Sequence, residues 1–409
     1  MVIDLPIVIM STKLDEKTAA PASPANGGSC PLWRWISPLV SIASLSSAAG
    51  GSMMLAQLYL KTITPSPVAI SLLTSFMWLG TLIGSGGWGT LADRYPKRML
   101  LGTILGMSAL ATASLGILLP VPGVLTVAFI RVLMVSGISP IALAIISAHS
   151  TMANRGRNMS YFTSSQSLGS ALGSITAGFL LAMVGYRYGF IALAGLPLVA
   201  MLLVPSIPRT EAAVQARVKR VQLIKRNGLS GLYVGSILRQ MGTTGSASLI
   251  YVYMATLGIP AGTMGTVNAV SPITSILGMP LFGRLADRVG RRAVFCIGFG
   301  LSALVPLVFA MAKSAWVMVL GYMTLGIAFS SLYTGSAAYI GDRIPVESQG
   351  AMLGLFDSSR GLGGVLGPLV AGAITPVLGF RGMFLTMSGI AAIGFILVGL
   401  RTRAPAQSS

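Results

Sequence analysis

Four charged side chains, Arg131, Arg239, Asp357 and Arg360, interrupt long apolar runs in this 409-residue chain. A charge held in hydrocarbon costs several kcal/mol, on the order of 2.5–3.5 on insertion scales, so each needs a partner or a task. Arg131 and Arg239 lie about ten residues into their runs, which at 1.5 Å per helical residue places both roughly 15 Å deep, near a bilayer midplane. Guanidinium groups so placed either attract an anionic solute or pair with helix carbonyls. Gln240, beside Arg239, and Gln57, in the first run, add hydrogen-bonding capacity. Asp357 and Arg360 are three residues apart, share a helix face and can pair. Asp357 is the one acid placed inside a span, which makes it the candidate for carrying a proton. The lone His149 reads as a solvated residue at the end of its run, and the 22 methionines as lipid-facing or core filler. No zinc-ligand spacing, catalytic triad, phosphate-binding loop or dinucleotide fingerprint occurs, so neither an enzyme nor a metal or cofactor is expected.

The elements that must position these groups are set by composition. Hydrophobic residues make up 54% of the chain and charged residues only 9%, against about 25% charged in soluble domains. Such a chain cannot cover a surface facing water. Apolar stretches between charges and Gly/Pro turns predict spans near 35–59, 66–90, 97–119, 122–149, 159–184 and 187–206, then 229–256, 262–286, 293–312, 315–340, 350–377 and 381–401. The 50 glycines suit helices that must approach closely without a hydrophobic drive. The net charge of +19 is not one patch. On these spans 21 of the 28 basic residues fall on one side, four (Lys61, Arg187, Lys313, Arg381) on the other, and three within spans. By the positive-inside rule the basic side is cytoplasmic and both termini lie there. The charge then serves orientation and contact with anionic lipid, and nucleic acid is not an expected partner. Residues 1–34 read as a disordered cytoplasmic tail, 207–228 as a basic linker able to lie on the lipid surface, and 402–409 as a second cytoplasmic tail. The opening MVIDLPIVIM is short, lacks a basic leader and contains Asp4, so it is not read as a cleaved signal. Cys30 and Cys296 are not expected to pair.

Sliding the chain on itself reveals a repeat at a constant offset of 194 residues. Gly89, Leu91, Ala92, Asp93, Arg94 and Arg98 return as Gly283, Leu285, Ala286, Asp287, Arg288 and Arg292. Gly169, Gly173, Gly178, Gly185 and Arg187 return as Gly363, Gly367, Gly372, Gly379 and Arg381. Chance similarity of two greasy stretches would not keep charges in register. Six spans per half is an even number, so 35–206 and 229–401 have the same orientation, related by an axis along the membrane normal. That arrangement puts a solute site between the halves.

The segments GTLADRYPKR (89–98) and GRLADRVGRR (283–292) resemble the loop signature of the major facilitator superfamily between the second and third span of each half. The resemblance covers residues 35–401 and implies an all-α fold of twelve transmembrane helices in two six-helix pseudo-symmetric halves. It further implies that Gly89 and Gly283 permit close helix contact, and that Asp93 and Asp287 latch the cytoplasmic side, with Arg94, Arg98, Arg288 and Arg292 in the same gate. Pro96 stands where the second copy has Gly290. Gly363, Gly367, Pro368 and Gly372 resemble the family's Gly-Pro exporter motif, but displaced from the fifth span to the eleventh; Gly169 and Gly173 in the fifth lack the proline. Helix packing is the simpler reading of all these glycines. Arg131 resembles an arginine the family often carries in its fourth span, although Val135 replaces the usual following glycine.

The expected function is secondary active transport of a small organic solute by rocking of the two halves, by a chain read as monomeric in the plasma (inner) membrane. Two deep arginines and few acids favour an organic anion or amphiphile, with export preferred; proton-coupled uptake is the alternative. A membrane receptor on the same fold would need a soluble signalling domain, for which the tail and linker are too short. Reporter tags at the two ends of the chain should both be digested by protease in inverted vesicles and protected in right-side-out ones; opposite behaviour of the two tags would break the topology.

Overall fold

The computed structural model describes residues 32–92, 94–208, 229–343 and 346–402, with the side chains of 32–34, 152–153 and 346–351 left aside. Among these residues every regular element is helical. The helices are α1 (Leu32–Ala48), α2 (Ser52–Ile63), α3 (Pro67–Ala92), α4 (Lys97–Ser114), α5 (Val121–Val135), α6 (Ile138–His149), α7 (Met152–Leu202), α8 (Ser230–Ser248), α9 (Ile250–Thr256), α10 (Ala261–Val289), α11 (Arg291–Ala310), α12 (Ala315–Gly341) and α13 (Val346–Arg401).

The repeat is present in three dimensions. The starts of α3, α4 and α5 at 67, 97 and 121 recur as the starts of α10, α11 and α12 at 261, 291 and 315. Helices α7 and α13 each break at one glycine with positive φ, Gly185 (φ 74°) and Gly379 (φ 65°), an equivalent pair under the same offset. A side chain is strained at such a φ, so glycine is what the turn requires. Each break reverses the chain. Gly363 and Gly367 in the first arm of α13 lie against Ile237 and Met241 of α8 in parallel sense, whereas Val398 and Met387 of the second arm meet Gly235 and Gly242 of α8 in antiparallel sense.

By length and composition, nine helical runs among the described residues can cross a membrane. Two of the nine, Asn154–Ser206 and Met352–Arg401, are the runs that double back. Ser230–Thr256 falls outside the nine because serine, threonine, glycine, Arg239 and Gln240 lower its hydropathy. Those polar residues are buried in the bundle, so packing rather than apolarity holds this stretch in place. Residues 209–228 of the expected surface segment and nearly all of both tails lie outside the described residues, as do Cys30 and Asp93.

Small residues decide how closely helices approach. A methyl group at Gly169 would run into the backbone of Ser44, and one at Gly173 into that of Ala48. Helix backbone cannot yield as a side-chain tip can. Gly173→Val should therefore destabilise the purified protein by about 3 kcal/mol or more, read as a lower unfolding midpoint. Gly86→Ala, where nothing lies within 4 Å, should be neutral or gain up to about 1 kcal/mol.

Candidate functional site

The two halves touch through α7 with α10 and α3 with α13. At the end away from the basic loops the contact is tight. Gly178 and Gly265 pack backbone to backbone, Asn268 donates to the Ser174 hydroxyl at 2.7 Å, and Gly372 sits on Ser71 and Val68. Ser75 donates to the carbonyl of Val365 at 2.9 Å, and Trp78 and Leu82 lie over Gly364 and Gly361. Toward the basic face the halves part. A methyl group added at Gly86, Gly87, Gly89, Gly156, Gly283 or Gly354 would meet nothing within 4 Å. The close helix contact expected at Gly89 and Gly283 is thus not made in this structure.

Where α7 and α10 diverge from the Ser174–Asn268 hydrogen bond, a cavity of ≈ 500 Å³ opens. Gln166, Ser167 and Ser170 line it from α7, and Asn268, Ser271, Pro272 and Ser275 from α10. Ser47 of α1 and Tyr322, Leu325 and Phe329 of α12 complete it. Gln166 is held by a hydrogen bond from its amide to Ser139 at 2.9 Å. The lining is rich in hydroxyl and amide groups with an aromatic edge and no formal charge, a surface suited to gripping a solute by hydrogen bonds and stacking.

None of the solute-contact residues expected from the sequence lines this cavity. Gln57 is fully buried in the sealed end, its amide 3.4 Å from both Thr74 Oγ1 and the Ala247 carbonyl, where it bridges the halves. Arg131 is buried and donates from Nε to Thr112 at 3.0 Å. Arg239, 2% exposed, donates from Nε to Ser302 at 2.8 Å and from Nη1 to Gln240 at 2.9 Å. Asp357 and Arg360 form the anticipated pair at 3.1 Å, with Arg360 the more buried partner. His149 sits at the end of α6, its Nδ1 3.1 Å from the Ile145 carbonyl.

The second signature loop borders another cavity, of ≈ 980 Å³, on the basic face. Asp287 lines it and is exposed; Arg291 pairs with Asp342, and Arg292 donates to the Gly399 carbonyl at 2.8 Å. Arg94 and Arg288 are exposed and Arg98 is half-buried. Pro368 lies inside α13 one residue beyond Gly367, whose backbone abuts Met241.

Sequence reasoning missed the cavity serines, although a signal was there. Gln166, Ser170 and Ser174 on α7, and Asn268, Ser271 and Ser275 on α10, recur at three- and four-residue spacing within apolar helices. Such a polar stripe shows which face turns away from lipid.

The multidrug resistance protein MdtG of Klebsiella pneumoniae (strain 342) is 25% identical over 354 residues, covering 83% of this chain and 84% of the relative. MdtG of Dickeya zeae is 24% identical over 333 residues, covering 78% of this chain and 81% of the relative. In fold the chain resembles a bacterial homolog of the human lysosomal transporter Spinster in its inward-facing, occupied conformation, with a TM-score of 0.75 at 13% identity over 91% of this chain and 98% of that one. The nucleoside transporter NupG superposes with a TM-score of 0.70 at 13% identity over 90% of this chain and 99% of that one. The sequence model for the Major Facilitator Superfamily matches residues 38–231 and again 232–409, so with its duplicated helical halves and paired loop signatures this chain belongs to that family of transporters.

Proposed function

We propose that this transporter exports small organic solutes across a bacterial inner membrane by alternating access, with the basic face cytoplasmic and both termini on that side. The observation that carries the proposal is the hydrogen-bonding cavity between the halves, sealed at one end by Asn268–Ser174 and the Gly178–Gly265 contact and flanked by splayed helix ends at the other. A solute entering from the cytoplasm reaches this cavity without crossing the sealed end. Release requires the Gly89 and Gly283 ends to close while the sealed end parts, with Asp93 and Asp287 as the proposed latch. The names of the curated relatives, multidrug resistance proteins, support export of several solutes rather than one. A lining of hydroxyl and amide groups supports an amphiphile that is held loosely, since uncharged groups discriminate less than a paired ion does. Arg131 and Arg239, held by Thr112 and Ser302 inside the bundle, lend the central cavity a positive potential that favours an anionic solute. Asp357, with Arg360 as its counter-charge, is the proposed proton carrier.

Two measurements test this. In a cysteine-free background (Cys30→Ser, Cys296→Ser), a membrane-impermeant maleimide applied to inverted vesicles should label Ser271→Cys and Ser167→Cys but spare Ser71→Cys, which is fully buried in the sealed end. Equal labelling of all three would remove the one-sided cavity. Ser271→Trp, which fills the cavity, should lower export of an accumulated dye by about tenfold or more with little change in unfolding temperature. Unimpaired export by that variant would move the solute site elsewhere.

A further inference from the structure

Helices α8 and α13 pack in parallel, face against face. The Tyr233 ring lies 6.3 Å from Phe356, its hydroxyl donates to the Met352 carbonyl at 3.0 Å, and Gly363 and Gly367 sit on the backbone at Ile237 and Met241. Arg360 lies on this face of α13 between Phe356 and Gly363, and Arg239 lies within the matching stretch of α8, its Nη1 donating to Gln240, whose Cβ packs on Gly363 one helical turn from Arg360. Two guanidinium groups thus flank the same buried α8–α13 contact, and both keep unused donors. Arg239 Nη2 and Arg360 Nε are buried without a hydrogen-bond partner. Leaving a buried charged donor unmet is costly, and a nearby like charge adds to that.

Arg360 also lies next to a wall of the central cavity. Its guanidinium carbon stands 5.6 Å from the centre of the Phe329 ring, and Phe329 lines the cavity. The 194-residue offset relates Arg360 to Gln166, which lines the same cavity from the other half.

From this geometry we infer that Arg239 and Arg360 form an anion subsite at the α8–α13 edge of the cavity, which takes the carboxylate or another oxyanion group of an amphiphilic solute while Phe329 and Tyr322 hold its apolar part. Asp357 is the resident stand-in. It occupies Arg360 at 3.1 Å from the exposed side, and the solute's anionic group competes with it. Removing the Asp357 charge therefore strengthens binding, the opposite of what loss of a structural ion pair would do. Arg131 is not a member, since Thr112 meets its Nε in the other half.

This subsite deepens the proposed export function and rests on that cavity being the solute site, but binding can be read without transport. The purified full-length protein is titrated with benzoate and with benzamide, neutral and nearly identical in shape, by calorimetry and thermal shift at matched ionic strength. Benzoate should bind about tenfold more tightly than benzamide, a difference of about 1.4 kcal/mol. Arg239→Gln and Arg360→Gln should abolish that preference, Arg239→Lys should keep part of it, and Asp357→Asn should tighten benzoate about threefold while leaving benzamide unchanged. The inference is overturned by equal binding of the two probes to the wild type, by a preference that survives both Arg→Gln changes, or by failure of Asp357→Asn to strengthen benzoate. Asp357 is exposed enough that its variant tests the idea even if Arg239→Gln does not fold. Benzoate preference in a protein that exports nothing would break the transport reading and leave the subsite. Export of neutral solutes with no anion preference would do the reverse.

Discussion

Helices in lipid gain little by burying apolar surface against one another, because the acyl chains they displace are equally apolar. What remains is close backbone approach and the hydrogen bonds it allows, and these form only where side chains are small. In this protein the small-residue contacts between the halves are concentrated away from the basic loops, at Gly178–Gly265 and Gly372–Ser71, with the Ser174–Asn268 hydrogen bond between them. The cavity, its sealed end and the parted helix ends on the basic face are consequences of that one-ended adhesion. A transporter must be able to exchange this contact for another at the opposite end. The glycines at 86, 87, 89, 283 and 354, which touch nothing here, are residues that can make the reciprocal contact without side-chain rearrangement.

The buried arginines obey a different constraint. Arg131 and Arg239 are not balanced by carboxylates among the described residues, where the ion pairs are Arg291–Asp342 and Arg360–Asp357. Hydroxyl groups at Thr112 and Ser302 hold them instead. A hydroxyl satisfies one donor and leaves the charge, so these sites remain electropositive. That is a cost to stability if the charge does nothing and an asset if a solute brings the missing negative charge.

Much of the architecture could be read from the chain because the repeat constrains it twice. The turns at Gly185 and Gly379, the loops after α3 and α10, and the pairing of Asp357 with Arg360 all follow from local sequence and a fixed offset. Ser230–Thr256 was placed as a span by its position between charged and turn residues, although its composition is too polar to announce it. The cavity was less legible. Its lining comes from four helices distant in sequence, and three of them contribute serines that are individually unremarkable. Charges drew attention instead, because their cost in lipid is visible without a fold, whereas the value of a serine stripe depends on which helix it faces.

The same offset that reveals the symmetry also shows where it is broken. Arg131 corresponds to Leu325, Arg239 to Leu45, Asp357 to Thr163, Arg360 to Gln166 and Gln57 to Tyr251. The residues that shape turns and helix contacts are duplicated, and those with charge or strong hydrogen-bonding capacity in the membrane are not. Two identical halves would close around a symmetric, charge-repeating cavity with no preferred end for a small solute. In the proposed subsite, Arg239 and Arg360 of one half stand opposite Gln166 and the α7 serines of the other, a positive edge against a neutral one. A solute with one polar and one apolar end then has a single favourable orientation between two halves that move alike.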